Sequence, residues 1–164
     1  MAGYVEGKYR EALFSYAQAF ELYERLGDRH GRAGALGALG DVYCAQREYG
    51  RAVDAYGDSH SVCAELGDKR GVADADRGLG VVRYTLGDYE RALEAYESAL
   101  TLYGELGDRR GQATVLRDLA HTALLLGRPK AAVDKARRAR DLFTELGRFD
   151  RVDVIDRLLE ELGG

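Results

Sequence analysis

The sequence predicts an all-α fold, a solenoid of antiparallel helix pairs, and three observations carry the prediction. The first is a tripeptide that recurs as Leu26-Gly27-Asp28, Leu66-Gly67-Asp68 and Leu106-Gly107-Asp108, with a fourth copy, Leu146-Gly147-Arg148, that has lost its acid. The copies start at residues 26, 66, 106 and 146, a period of 40 residues, and a fixed period in that range marks a repeat array. The second is that whole columns superpose at the same offset. Ala12, Ala52, Ala92 and Ala132 align, as do Tyr9, Tyr49 and Tyr89 with Pro129, Tyr16, Tyr56 and Tyr96 with Ala136, and Tyr23, Cys63, Tyr103 and Phe143. The third is periodicity within a unit: after Tyr89, residues Ala92, Leu93, Tyr96, Ala99, Leu100 and Tyr103 repeat on one helical face.

Each unit therefore holds two helices joined by tight turns. The pattern predicts helices over 9–26, 30–46, 49–66, 70–86, 89–106, 110–126, 129–146 and 149–162. At each recurrence the leucine packs, the glycine takes the left-handed position that ends one helix, and the aspartate caps the next. The turn at Arg47-Glu48 lacks the glycine found at Gly87 and Gly127, so it is expected to be the least regular. The array divides into a partial first repeat (1–28), repeats 29–68, 69–108 and 109–148, and a C-terminal capping helix (149–164). Tyr4-Val5-Glu6-Gly7-Lys8-Tyr9 aligns with Tyr84-Thr85-Leu86-Gly87-Asp88-Tyr89, which predicts a turn at Gly7 and a chain that starts inside a longer array. The first full helix is then expected to leave an apolar face that stays uncovered or is covered by self-association. In the last helix Val152, Ile155, Leu158, Leu159 and Leu162 form one apolar stripe, opposite Asp150, Arg151, Asp153, Asp156, Glu160 and Glu161, as in a solenoid cap that ends the protein.

Composition sets bounds on function. The 164 residues are 46% hydrophobic and 32% charged, enough to bury a core. A formal net charge of −4 disfavours nucleic acid as a partner, because phosphate contacts call for a basic protein. No apolar run approaches the roughly 18 residues of a bilayer span, and no secretory leader opens the chain, so a cytoplasmic protein without a membrane partner is expected. Cys44 and Cys63 occupy non-equivalent repeat positions and are expected to be free thiols in a reducing compartment. The single proline, Pro129, suits a helical chain, whereas 21 glycines need a packing reason.

Catalytic signals are weak. Gly3-Tyr4-Val5-Glu6-Gly7-Lys8-Tyr9 is one residue short of a phosphate loop and lacks its Ser/Thr. The glycines of Gly34 to Gly40 have the wrong spacing for a dinucleotide fingerprint and fall inside a predicted helix, where close packing explains them. His30, His60 and His121 are scattered, with no ligand spacing. No catalytic residue, metal or cofactor is assigned.

Leu36, Leu39, Gly40, Tyr43, Ala52, Tyr56 and Ser59, then Leu79, Gly80, Ala92, Tyr96 and Ala99, and a weaker set of Leu116, Leu119, Ala120, Ala132 and Ala139, resemble the tetratricopeptide repeat. The long period and the Leu-Gly-Asp turn are similar to arrays in bacterial multidomain regulators, polarity adaptors and kinesin light chains. An excess of arginine over lysine leans towards a bacterial source. Asp76 and Arg83 depart from the pattern, standing where Leu36 and Tyr43 do, which implies loose packing or charges reaching groove or solvent. The resemblance implies a right-handed superhelix whose first helix of each pair lines a concave groove for a protein or peptide. Carried over, the groove residues are Asp41, Asp74, Arg77, Val81, Tyr84, Arg117, Asp118, His121, Leu124 and Arg157, beside the bare Gly34, Gly37 and Ala38. Arg77, Arg117 and Arg157 share a column, so they form a ladder that could hold an acidic segment or else pair internally with Asp74, Asp118 or Asp153. The basic run Arg128, Lys130, Lys135, Arg137, Arg138 and Arg140 is expected on the solvated convex side. The sequence thus points to a non-enzymatic interaction scaffold; the alternatives are a sensor arm of a larger bacterial regulator and a small-molecule-binding accessory protein with a pocket at Arg77, Arg117 and His121.

Overall fold

The computed structural model describes residues 2–163, with side chains from residue 6 onward, and among them every regular element is an α-helix. In order these are α1 (Ala2–Leu26), α2 (Arg29–Ala45), α3 (Tyr49–Leu66), α4 (Lys69–Thr85), α5 (Tyr89–Glu105), α6 (Arg109–Leu125), α7 (Pro129–Glu145) and α8 (Phe149–Glu161). The expected turn at Gly7 does not form, and α1 runs straight through it. Gly87 is followed by Asp88, which caps α5 by accepting from Arg91 N, whereas Gly7 is followed by Lys8. The missing cap does not decide the difference, since Gly127 and Gly147 make their turns before Arg128 and Arg148, which do not cap. The Tyr4 and Val5 side chains that entered that alignment lie outside the described residues.

The Leu-Gly-Asp turns share one hydrogen-bond pattern. Gly107 has φ 65°, its N–H donates to Gly104 O at 3.1 Å, and Asp108 N–H donates back to Tyr103 O at 2.9 Å. That is a Schellman closure whose last residue is also the N-cap of the next helix. Asp28, Asp68 and Asp108 each accept from the backbone N–H three residues on, at 2.9, 3.0 and 2.9 Å. The leucine does not pack as expected. Leu26 is 69% exposed, and Leu106 and Leu146 are also exposed; only Leu66 is half-buried, against Ala33, Val62 and Cys63. The Arg47-Glu48 turn is as regular as the others: Arg47 N–H donates to Cys44 O at 3.0 Å and Glu48 N–H to Tyr43 O at 2.8 Å. Arg47 adopts the glycine conformation itself, at φ 62°.

The chain divides into two compact units, Met1–Val82 and Arg83–Gly164. In the first, α1 packs on α2 and α2 on α3. Tyr56 of α3 is wedged between two glycines: a Cβ at Gly40 would lie 2.7 Å from its ring, and one at Gly78 would lie 2.5 Å away. Glycine is retained there because the ring occupies the space of a side chain. Asp76, expected to loosen the packing or reach solvent, is instead 5% exposed, with Oδ1 2.8 Å from His60 Nδ1. A buried carboxylate is tolerated where it gains such a partner. The α1 stripe carrying Phe14, Leu22 and Leu26 is exposed.

In the second unit α5 packs on α6, α6 on α7 and α7 on α8. The core joins Leu116 and Ala120 of α6, Ala136, Ala139 and Phe143 of α7, and Ile155, Leu158 and Leu159 of α8, with Val152 and Leu162 packed at its border. Fully burying a side chain such as Leu116 or Ile155 stabilises the unit by about 2 kcal/mol each. Pro129 sits at the start of α7, where its missing N–H costs nothing. The residue after the turn has its own role: Arg29 pairs with Glu65, and Arg109 with Glu145. In α7, Arg137 and Arg138 are exposed as expected, whereas Arg140 is half-buried and meets Asp141 and Asp156.

Candidate functional site

The first helix of a pair exposes small residues on the face away from its partner, and that leaves room for clefts. In the first unit Gly34, Gly37, Ala38 and Asp41 of α2, with Asp74 and Arg77 of α4, line an open cleft of ≈ 380 Å³ whose floor includes Tyr56 and Ser59. Tyr56 is held in place by the Gly40–Gly78 slot, and its hydroxyl donates to Asp41 Oδ1 at 2.7 Å. Burial, and then the bond to Asp41, push the phenol pKa well above its ordinary range. Ser59 Oγ donates to Ala33 O at 3.0 Å. Burial also raises the Cys63 thiol, and raises Cys44 with help from the Asp41 carboxylate, so neither is a ready thiolate. Both cysteines are free.

In the second unit Tyr84, Tyr96, Arg117, Asp118 and His121 line a smaller cleft of ≈ 220 Å³. Tyr84 meets Tyr89 edge-on at 5.5 Å between centroids, and burial raises its hydroxyl pKa, with Tyr89 and Asp118 adding to the effect. Arg117 donates from Nε and Nη2 to Asp118 Oδ1 at 2.9 and 2.6 Å. His121 Nδ1 lies 2.9 Å from Arg117 O, a helix-internal bond. A further cleft of ≈ 590 Å³ is lined by Arg110, Thr114 and Arg117 of α6, Phe143 and Leu146, and Arg148 and Arg151 at the start of α8.

Of the residues the sequence assigned to a groove, Asp41, Asp74 and Arg77 converge on one cleft and Tyr84, Arg117, Asp118 and His121 on another. Val81 is half-buried and lines none of these clefts. Leu124 is half-buried against the α6–α7–α8 core, and Arg157 is exposed on α8. Sequence reasoning passed over Arg110, Arg148 and Arg151. The signal was present in the loss of acid at Arg148 and of the glycine column at Arg151, two changes in one turn. Among the described residues no group of His, Cys, Asp and Glu side chains could hold a metal ion, and no helix is long and apolar enough to cross a membrane.

Fold and clefts together define a class: a helix-pair repeat protein whose first helices present open, polar clefts. Tetratricopeptide repeat profiles match residues 35–69 and 71–145. The chain belongs to the tetratricopeptide repeat family. No curated protein sequence matches it. Among solved structures it is similar to BtubC (BKLC) from P. vanneervenii, with TM-score 0.78 and 21% identity over 94% of this chain and 65% of that one. It is also similar to a Rap protein complexed with Competence and Sporulation Factor, with TM-score 0.74 and 18% identity over 98% of this chain and 51% of that one. A third likeness is to the nearly identical TPR-like repeats of a kinesin light chain from Podosopora anserina, with TM-score 0.72 and 14% identity over 96% and 86% of the two chains. At these identities the likeness is one of fold. The chain spans about two thirds of the length of BtubC and half that of the Rap protein.

Proposed function

We propose that the chain is a non-enzymatic interaction scaffold that holds a peptide or helical segment of a partner protein in the cleft of α2 and α4 or in the clefts along α6 and α8. The observation that carries this reading is the convergence of Gly34, Gly37, Ala38, Asp41, Asp74 and Arg77 on one open cleft, where small residues leave backbone accessible beside three charged side chains. The groups that could have suggested chemistry are committed elsewhere: Ser59 to a carbonyl, His60 to Asp76 and His121 to its own helix. The test is a peptide-display selection against the intact chain, followed by titration of the selected peptides into the wild type and the Arg77→Ala/Arg117→Ala double variant. A loss of affinity of about tenfold or more, with unchanged helicity and melting temperature, is expected. Equal affinity for every selected peptide would make those arginines structural and remove the groove assignment.

A second reading is that the array is the sensing arm of a larger regulator. The likeness to a Rap protein complexed with a factor, of which this chain covers 51%, favours it. The length of the reading frame separates the two, since a frame holding only this array leaves nothing for it to regulate in cis.

A further inference from the structure

The fourth turn departs from the other three at residues 148 to 151, and two of the changes, Arg148 and Arg151, fall on one cleft. Before α2, α4 and α6 an aspartate accepts from the N–H of a glycine, Gly31, Gly71 or Gly111, that lies under Tyr23, Cys63 or Tyr103. Before α8 Arg148 stands in place of the aspartate, Arg151 in place of the glycine, and no side chain caps the helix. Both guanidinium groups join Arg110 and Arg117 around the ≈ 590 Å³ cleft, over a floor of Phe143 and Leu146.

The charges there do not cancel. Asp118 is engaged by Arg117 at 2.6 Å. Asp150 accepts from Arg148 Nε and Nη2, both at 3.1 Å, and lies 3.3 Å from Arg151 Nε. Arg110 has no carboxylate within ion-pair distance among the described residues. Two carboxylates, neither of which lines the cleft, therefore pair with three of its four arginines, in a chain whose formal net charge is −4. A guanidinium recognises a carboxylate through paired, nearly parallel N–H donors, and several in one concavity select for more than one acid. A nucleic-acid backbone needs a continuous basic track, whereas here the positive charge is confined to one cleft and flanked by Asp118 and Asp150.

We infer that this cleft is an acid-recognition site that takes an aspartate- or glutamate-rich segment of a partner protein. The inference rests on the scaffold reading and assigns the acidic part of the ligand to α6 and α8; it is tested at Arg110, Arg148 and Arg151, which the scaffold test leaves unchanged, while Arg117 belongs to both. The experiment titrates fluorescein-labelled hexaglutamate, and hexaglutamine as control, into the intact chain. The first variant, Arg148→Asp with Arg151→Gly, puts back the aspartate and the glycine found before α2, α4 and α6, so it offers α8 the capping side chain it lacks, and circular dichroism with the melting temperature checks that it folds. The second, Arg110→Ala, removes an exposed side chain.

Binding of hexaglutamate at least tenfold tighter than hexaglutamine, weakening as salt rises, and about tenfold weaker in either variant is the expected result. Absence of hexaglutamate binding, or equal affinity in the wild type and the first variant, would overturn the site. Displacement of hexaglutamate by an RNA hairpin or by inorganic phosphate at lower concentration than by free glutamate would also overturn it, by reassigning the charge to a phosphate ligand. If display-selected peptides still depend on Arg77 and Arg117 while hexaglutamate fails, this site falls and the scaffold stands; if both fail, the scaffold reading falls too.

Discussion

At the scale of single residues, Tyr56 ties the core to the candidate site. Its ring fills the space left by Gly40 and Gly78, and its hydroxyl fixes Asp41 at the cleft rim. Burial and the Asp41 bond favour the protonated phenol in the folded state. The stabilisation is therefore fully present below the unfolded phenol value of 10.0 and is lost progressively as pH rises above it. Tyr56→Phe is expected to lower stability by about 1 kcal/mol at neutral pH, the net worth of one hydrogen bond. It is also expected to flatten the fall in stability above pH 10.0, as read by urea unfolding at a series of pH values. An unchanged alkaline profile would assign that fall to other groups. The sequence placed Tyr56 in a repeat column and Asp41 on the groove but could not join them, because the pair is made by helix approach and not by spacing. Asp76 was misleading for the same reason: its partner, His60, sits on α3, outside the helix on which its column was read.

At the scale of elements, the helices were legible because the period runs along the chain and a turn glycine meets a capping aspartate at Gly27, Gly67, Gly87 and Gly107. Where a signal was missing the outcome was not read from the motif. Gly7 stays helical, while Arg47 lacks a glycine and still makes the turn, since Cys44 and Tyr43 accept the same two bonds. A non-glycine residue in the left-handed region costs roughly 1 kcal/mol, part of it offset because glycine has more freedom to lose on folding. Arg47→Gly is accordingly expected to raise stability by up to about 1 kcal/mol in thermal or urea unfolding. A destabilised variant would mean that the exposed arginine side chain stabilises the turn by more than its backbone costs it. The capping helix α8 was also legible, its apolar stripe buried and its acids turned outward. Its arginine-lined start was not, because each change reads alone as a defect in the motif and only the fold brings Arg148 and Arg151 beside Arg110 and Arg117.

At the scale of the whole chain, the three Leu-Gly-Asp turns are structural and the candidate clefts lie along the first helices, one of them reaching the Leu146-Gly147-Arg148 turn. The clefts differ in sign: Asp41 and Asp74 beside Arg77 in one, four arginines in another. The most direct measurement of the scaffold claim is amide hydrogen exchange on the intact chain, with and without a saturating display-selected peptide. The account predicts added protection in α2, α4, α6 or α8, centred on the helix faces that carry Gly37, Arg77, Arg117 and Arg151, with α3, α5 and α7 unchanged. Protection confined to α3, α5 and α7, or none at saturation, would contradict it.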